Sequence, residues 1–228
     1  MSLDVKAVAF DLDGTLYPNY SLNFKLIPFI LIHWRLLLAF GRARSIIRKE
    51  QEKSDFLPVP HFYRYQALVA AKLLRAPVKK TKEKIDRLMY RGWEPIFKTI
   101  KPFPHVVNTL TGLGKAGLKL GLLSDFPPET KLDYMGLSGI WEAILCSERS
   151  GAIKPHTKPF IELAKTLDVP PEKILYVGNS YKFDIVGAHR TGMKTALIKS
   201  PFAPAAPKQP KPDFTFYDYR QLYDFVLN

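Results

Sequence analysis

At 228 residues, 46% of them apolar, the chain suits one large domain or a core with a smaller appended unit, and its apolar content excludes wholesale disorder. The single cysteine, Cys146, excludes an internal disulfide and fits a reducing, cytoplasmic setting in which it is a buried structural thiol. The net charge of +13 is concentrated: residues 17–100 hold 17 Lys/Arg against 6 Asp/Glu, which predicts a local anionic partner and, with no recognised nucleic-acid motif, no nucleic-acid binding.

The N-terminus lacks a basic stretch followed by an apolar run and a small-residue cleavage site, so no export signal is expected. Residues 5–10 predict a strand that stops abruptly at Asp11-Leu12-Asp13-Gly14-Thr15. Asp and Gly commonly end strands in turns, so this run alone has a purely structural explanation. Residues 24–40 predict an apolar helix interrupted by Lys25, Pro28, His33 and Arg35. It falls short of the roughly 20 apolar residues that cross a bilayer, so no span is expected. Residues 61–77 predict a second basic, apolar helix, and residues 76–84 a basic turn and helix start. The two long stretches admit three arrangements: packed on each other as the core of a helical unit, a dimer surface, or a surface toward a lipid-like substrate or membrane.

From Lys101 the texture changes. Strands are predicted at 118–124, 143–146, 173–178 and 195–198. Between them Phe160, Leu163, Ala164 and Leu167 repeat at helical spacing, and residues 184–192 read as a short helix stopped by Gly192. This alternation predicts an α/β fold, a parallel sheet with helices on both faces. Five prolines in residues 200–212 predict a stiff surface loop. In such sheets ligands bind beyond the carboxyl ends of the strands. Asp11, Ser124 and Gly178-Asn179 each follow a predicted strand and should meet at one sheet edge. Lys154 in "GAIKPHTKP" and Asp184 in "VGNSYKFDIVGAHRTGM" complete an ordered set.

Through these residues the chain resembles the haloacid dehalogenase-like hydrolases, most of which are magnesium-dependent phosphatases. The resemblance covers residues 5–16 and 101–200. It implies a Rossmann-like core of residues 1–16 and 101–228, with residues 17–100 placed where many members insert a helical cap. Only 29 residues separate Ser124 from Lys154, so a single cap, after the first motif, is expected. The implied roles are Asp11 as nucleophile, Asp13 as general acid and base, and Ser124, Asp125 and Lys154 at the phosphate. Asp11, the Asp13 backbone carbonyl, Asp184 and Asn179 would hold Mg²⁺. The expected partner is a small anionic phosphorylated substrate, on a monomer or homodimer. A phosphomutase or a non-catalytic phospho-ligand-binding protein on the same fold are the alternatives.

The family often has aspartate where this chain has Asn179. Asparagine still presents an oxygen but removes a negative charge. Asn179→Asp should therefore tighten Mg²⁺ binding measured by titration calorimetry; unchanged or weaker binding would contradict this reading.

Overall fold

The computed structural model describes residues 3–53, 58–59, 61–200 and 209–228. Six parallel strands form one sheet in the order β3-β2-β1-β4-β5-β6. They are β1 (Ala7–Phe10), β2 (Lys119–Ser124), β3 (Ala143–Cys146), β4 (Ile174–Gly178), β5 (Lys194–Ile198) and β6 (Phe214–Phe216). All four residues of β1 are buried, as expected of a central strand covered on both faces. Side-chain alternation splits them. Val8 and Phe10 join Leu120, Leu122, Leu175 and Val177 under helices α5 (Val106–Lys115), α6 (Glu129–Met135) and α9 (Tyr219–Leu227). Ala7 and Ala9 join Leu123, Ile174 and Tyr176 under α7 (Thr157–Leu167) and α8 (Val186–His189). The chain winds in opposite directions from β1, so a crevice opens beyond the carboxyl ends of β2, β1 and β4.

Between β1 and α5 lies a helical insert: α1 (Asn19–Gln51), α2 (Phe62–Leu74), α3 (Val78–Ile85), a π-helical turn at Asp86–Arg91, and α4 (Glu94–Phe97). The helix expected at 24–40 is far longer, 33 residues, because apolar positions continue at helical spacing through Phe40, Ala43 and Ile47. Pro28 lies inside it, and the helix is kinked at His33. Leu36, Phe40 and Ala43 pack against Ala67 and Ala70 of α2 and against Ile85 and Met89. Packing of the two apolar stretches on each other thus holds for the second half of α1. In the first half Phe24, Ile27, Leu31 and Trp34 are exposed. The ends of the insert reach back to the core, where Leu22, Trp93, Ile96, Phe97 and Ile100 pack on the β1–β2 face.

Two sequence expectations shift. The stretch 184–192 begins earlier, as a π-helical turn at Tyr181–Ile185 that places Asp184 one turn in, before α8. β6 and α9 were not expected; α9 starts at a capping box, with Asp218 accepting from the backbone and Gln221 reaching back. Of the proline-rich stretch, residues 201–208 lie outside the described residues.

Phe160 is fully buried and meets Tyr176 edge to face, centroids 4.9 Å apart, tying α7 to the strand beneath the site. Phe160→Ala should cost about 3–5 kcal/mol in urea unfolding; a loss below about 1 kcal/mol would show that this contact does not anchor the helix.

Candidate active site

The residues expected to meet at one sheet edge do so. Asp11 directly follows β1, and its N–H donates to the Val177 carbonyl of β4 at 2.9 Å. Two glycines make room. Gly14 has φ +85°, and a Cβ there would stand 2.2 Å from the Asn179 amide nitrogen. A Cβ on Gly178 would fall 2.3 Å from the Asp184 Cβ, so Asp184 lies against the end of β4 only because that residue has no side chain.

Lys154 is the hub. Its buried Nζ donates to Asp11 Oδ1 at 2.7 Å and to Asp184 Oδ1 at 2.6 Å. It also lies 3.2 Å from the Tyr176 hydroxyl and 3.3 Å from the Leu123 carbonyl. The second oxygens are held too: Thr15 Oγ1 donates to Asp11 Oδ2 at 2.7 Å, and the Ser180 N–H to Asp184 Oδ2 at 2.9 Å. Burial pushes the Asp11 carboxyl up to about 7; Lys154 opposes this, while Asp184 and Asp13 add to it. Lys154 is held well above the ordinary lysine value: burial works against its charge, but Asp11 and Asp184 outweigh it.

Asp13 points elsewhere. It accepts from Lys131 Nζ at 2.6 and 2.8 Å and from the Tyr17 hydroxyl, with Ser124 Oγ 3.5 Å away. Asp13 and Lys131 line a partly open cavity of about 200 Å³ between the core and the insert. Its walls are mostly apolar, with Leu22, Met89, Trp93, Phe97 and Phe126 among them. The Trp93 indole N–H is shielded from solvent without a protein acceptor.

Asp125, expected at the phosphate, is held through its side chain. Its carboxylate accepts from Ser147 Oγ at 2.6 Å, the Lys154 N–H at 3.1 Å, Arg48 at 2.6 Å and Arg44 at 3.1 Å. Burial would raise its carboxyl, but Arg44 and Arg48 prevail and hold it well below the usual carboxylate range. An ionised carboxylate has no donor for a phosphate oxygen. The Asp125 side chain thus anchors the Lys154 loop, and any contact with a phosphate oxygen falls to its backbone N–H.

The residues present fit Mg²⁺. Asp11 and Asp184 are hard oxygen donors that share one ammonium, leaving two buried carboxylates against one close cation. The Asn179 amide oxygen lies 3.5 Å from Thr15 Oγ1, on the same edge. Among the described residues no three acidic, His or Cys side chains form a closed cage. Mg²⁺ usually keeps several waters and does not need one.

Sequence reasoning missed Lys131, Tyr17, Arg44 and Arg48. Arg44 and Arg48 stand four apart on one face of α1, which was visible, but no sequence signal says that this face meets the core. Arg44 pairs with Glu148, and its guanidinium lies 4.2 Å from the centre of the Phe126 ring. The Arg48 Nε donates to the Lys154 carbonyl at 2.8 Å.

A parallel α/β sheet with carboxylates and a lysine gathered at its switch point places the chain among Rossmann-like α/β proteins with a charged site at that edge. A model of the haloacid dehalogenase-like hydrolases matches residues 5–192. The glyceraldehyde 3-phosphate phosphatase of Methanopyrus kandleri is 30% identical over 97% of each chain. The phosphoglycolate phosphatase of Aquifex aeolicus is 36% identical over 85% of this chain and 84% of its own. A HAD phosphatase structure from Thermococcus onnurineus superposes with TM-score 0.65 at 22% identity, covering 97% of this chain and 98% of its own. A dehalogenase structure reaches 0.71 at 18% identity over all of both chains. At these identities the two structures show the fold alone. The chain belongs to the haloacid dehalogenase-like hydrolases, and it is a phosphatase, a hydrolase of phosphoric monoesters.

Arg44→Met would leave Glu148 buried without its partner. It should lower unfolding stability by about 3–5 kcal/mol in urea titration, and Glu148→Gln should restore part of the loss. A single variant within about 1 kcal/mol of the parent would contradict this.

Proposed function

We propose that the protein hydrolyses a small phosphomonoester through an aspartyl-phosphate on Asp11, assisted by Mg²⁺. The observation that carries this is the buried Lys154 Nζ within 2.7 Å of both Asp11 and Asp184. A carboxylate so placed can meet a phosphoryl group only if positive charge stands beside it, and here it does.

A carboxylate oxygen of Asp11 attacks phosphorus in line. The bond to the leaving oxygen breaks, and Asp13 delivers a proton to that oxygen. Asp13 then takes a proton from water, which attacks phosphorus, releases inorganic phosphate and restores the Asp11 carboxylate. Lys154 and Ser124 hold phosphate oxygens at the strand ends. Held by Asp11, the Asp13 carbonyl, Asp184 and Asn179, Mg²⁺ would neutralise charge on the phosphoryl oxygens. Tyr17 and Lys131 keep Asp13 at the wall of the cavity, where a leaving group would lie. The family's dehalogenases attack carbon without a second acid or a metal. Asp13, Lys154 and Asp184 together favour phosphoryl transfer.

We infer that residues 17–100 serve as a cap over a core of residues 1–16 and 101–228. The insert supplies Leu22, Met89, Arg91 and Trp93 to the cavity, and so shapes substrate choice and shields the acyl phosphate from stray water. A cavity of about 200 Å³ suits a leaving group of a few carbons. The two- and three-carbon phosphates in the relatives' names are of that size.

The test is phosphate release from a panel of phosphomonoesters, with Mg²⁺ and with EDTA. Release should need Mg²⁺, vanish in Asp11→Asn, and fall about 10²–10⁴-fold in kcat in Asp13→Ala. Release indifferent to EDTA or to Asp11→Asn would overturn the mechanism. Phosphate passed to a second sugar hydroxyl would make the protein a mutase. Ligand binding without turnover would make it a binding protein.

A further inference from the structure

We propose that the exposed face of the first half of α1 is a docking surface for an anionic lipid bilayer. Tyr20, Phe24, Ile27, Leu31, Trp34 and Leu38 follow one another at alternating spacings of four and three, so they lie along one face. None is covered: Phe24 and Leu31 are each 72% exposed, Trp34 55% and Leu38 50%. Ile32, 74% exposed, and Ile30 widen the face on either side, beyond the narrow seam that a two-helix coiled coil uses. Single exposed hydrophobics are ordinary, but a continuous run of large ones marks a contact surface.

Charge selects the occupant. No Asp or Glu occurs between Asp13 and Glu50. Arg35 stands one turn beyond Leu31 and Arg42 one turn beyond Leu38, both exposed, and Lys25 lies beside Phe24. A second copy of this face would bring the same cations against these. A layer of anionic headgroups complements them, while the long Arg stems lie along apolar surface. Trp34 and Tyr20 suit the boundary between headgroup and acyl chain. At the foot of the face, Phe24, Lys25 and Lys101 line a cleft of about 540 Å³ where a headgroup phosphate would meet two ammonium groups.

The helix lies on the bilayer and does not cross it. Phe24–Gln51 is long and apolar enough to span by length and composition alone. Its second half, however, buries Phe40, Ala43 and Ile47, and sends Arg44 and Arg48 to Glu148, Asp125 and the Lys154 carbonyl. Spanning would tear out the anchor of the Lys154 loop.

The test is sedimentation of the intact protein with vesicles of equal phosphatidylglycerol and phosphatidylcholine, and with vesicles of phosphatidylcholine alone. The protein should sediment with the anionic vesicles, less so as salt rises. Binding should fall about tenfold or more in Leu31→Ser/Trp34→Ser and again in Arg35→Glu/Arg42→Glu, with thermal unfolding unchanged because these side chains are exposed and lie outside the buried core. No binding by the parent, or undiminished binding by both variants, would overturn the proposal. So would a dimer that Leu31→Ser/Trp34→Ser turns into monomer without vesicle binding, which would assign the face to a second copy.

Discussion

A buried ammonium group, Lys154 Nζ, stands between the carboxylates of Asp11 and Asp184, and the positions of the surrounding elements can be understood from it. Removing the ammonium would leave two buried negative charges at the end of a central strand, a cost of several kcal/mol per ion. Each partner comes from a different part of the chain: Asp11 from just beyond β1, Asp184 from the turn after β4, and Lys154 from the loop before α7. The parallel sheet brings these to one edge because all its strands end there. On the proposed mechanism the group that makes the edge stable would also make it reactive, by supplying the positive charge that a phosphoryl group must meet beside a carboxylate.

Asp125 links this centre to the insert. One carboxylate takes hydrogen bonds from the Lys154 backbone and from Arg44 and Arg48 of α1. The cavity wall and the Lys154 loop are thereby fastened to the same helix. Such a link accounts for how an insert remote in sequence can present Met89 and Trp93 to a cavity that Asp13 also lines. It also limits what α1 can do elsewhere: its second half is committed to the core, and only its first half is free to meet another surface.

Much of the core was legible because its signals are local. β1 is an apolar run ending in two aspartates, and β2 to β5 are short apolar runs; β2 to β5 fell within a residue of their expected places, and β1 starts two residues later than expected. The convergence of Asp11, Ser124, Lys154, Asn179 and Asp184 followed from topology, once strands alternate with helices. What escaped depends on contacts between distant segments. Lys131 meets Asp13 from α6 with no spacing to announce it. The anchoring role of the Asp125 side chain shows only once two arginines arrive from α1. The reach of α1 to Gln51 was understated because Gly41 interrupts the apolar run, although Phe40, Ala43 and Ile47 keep the spacing. β6 is three residues long and left no pattern, but the Asp218 to Gln221 capping box at α9 was there to be read.

The central claim is that the Asp11 carboxylate itself attacks phosphorus. The most direct measurement is to quench the enzyme in acid during turnover, reduce the acyl phosphate with borohydride, and map the product by peptide mass spectrometry. The account predicts homoserine at position 11 and nowhere else. Steady turnover with an unmodified Asp11 peptide, under conditions that trap a known acyl phosphate, would mean that water attacks directly and that Asp11 serves only to hold charge.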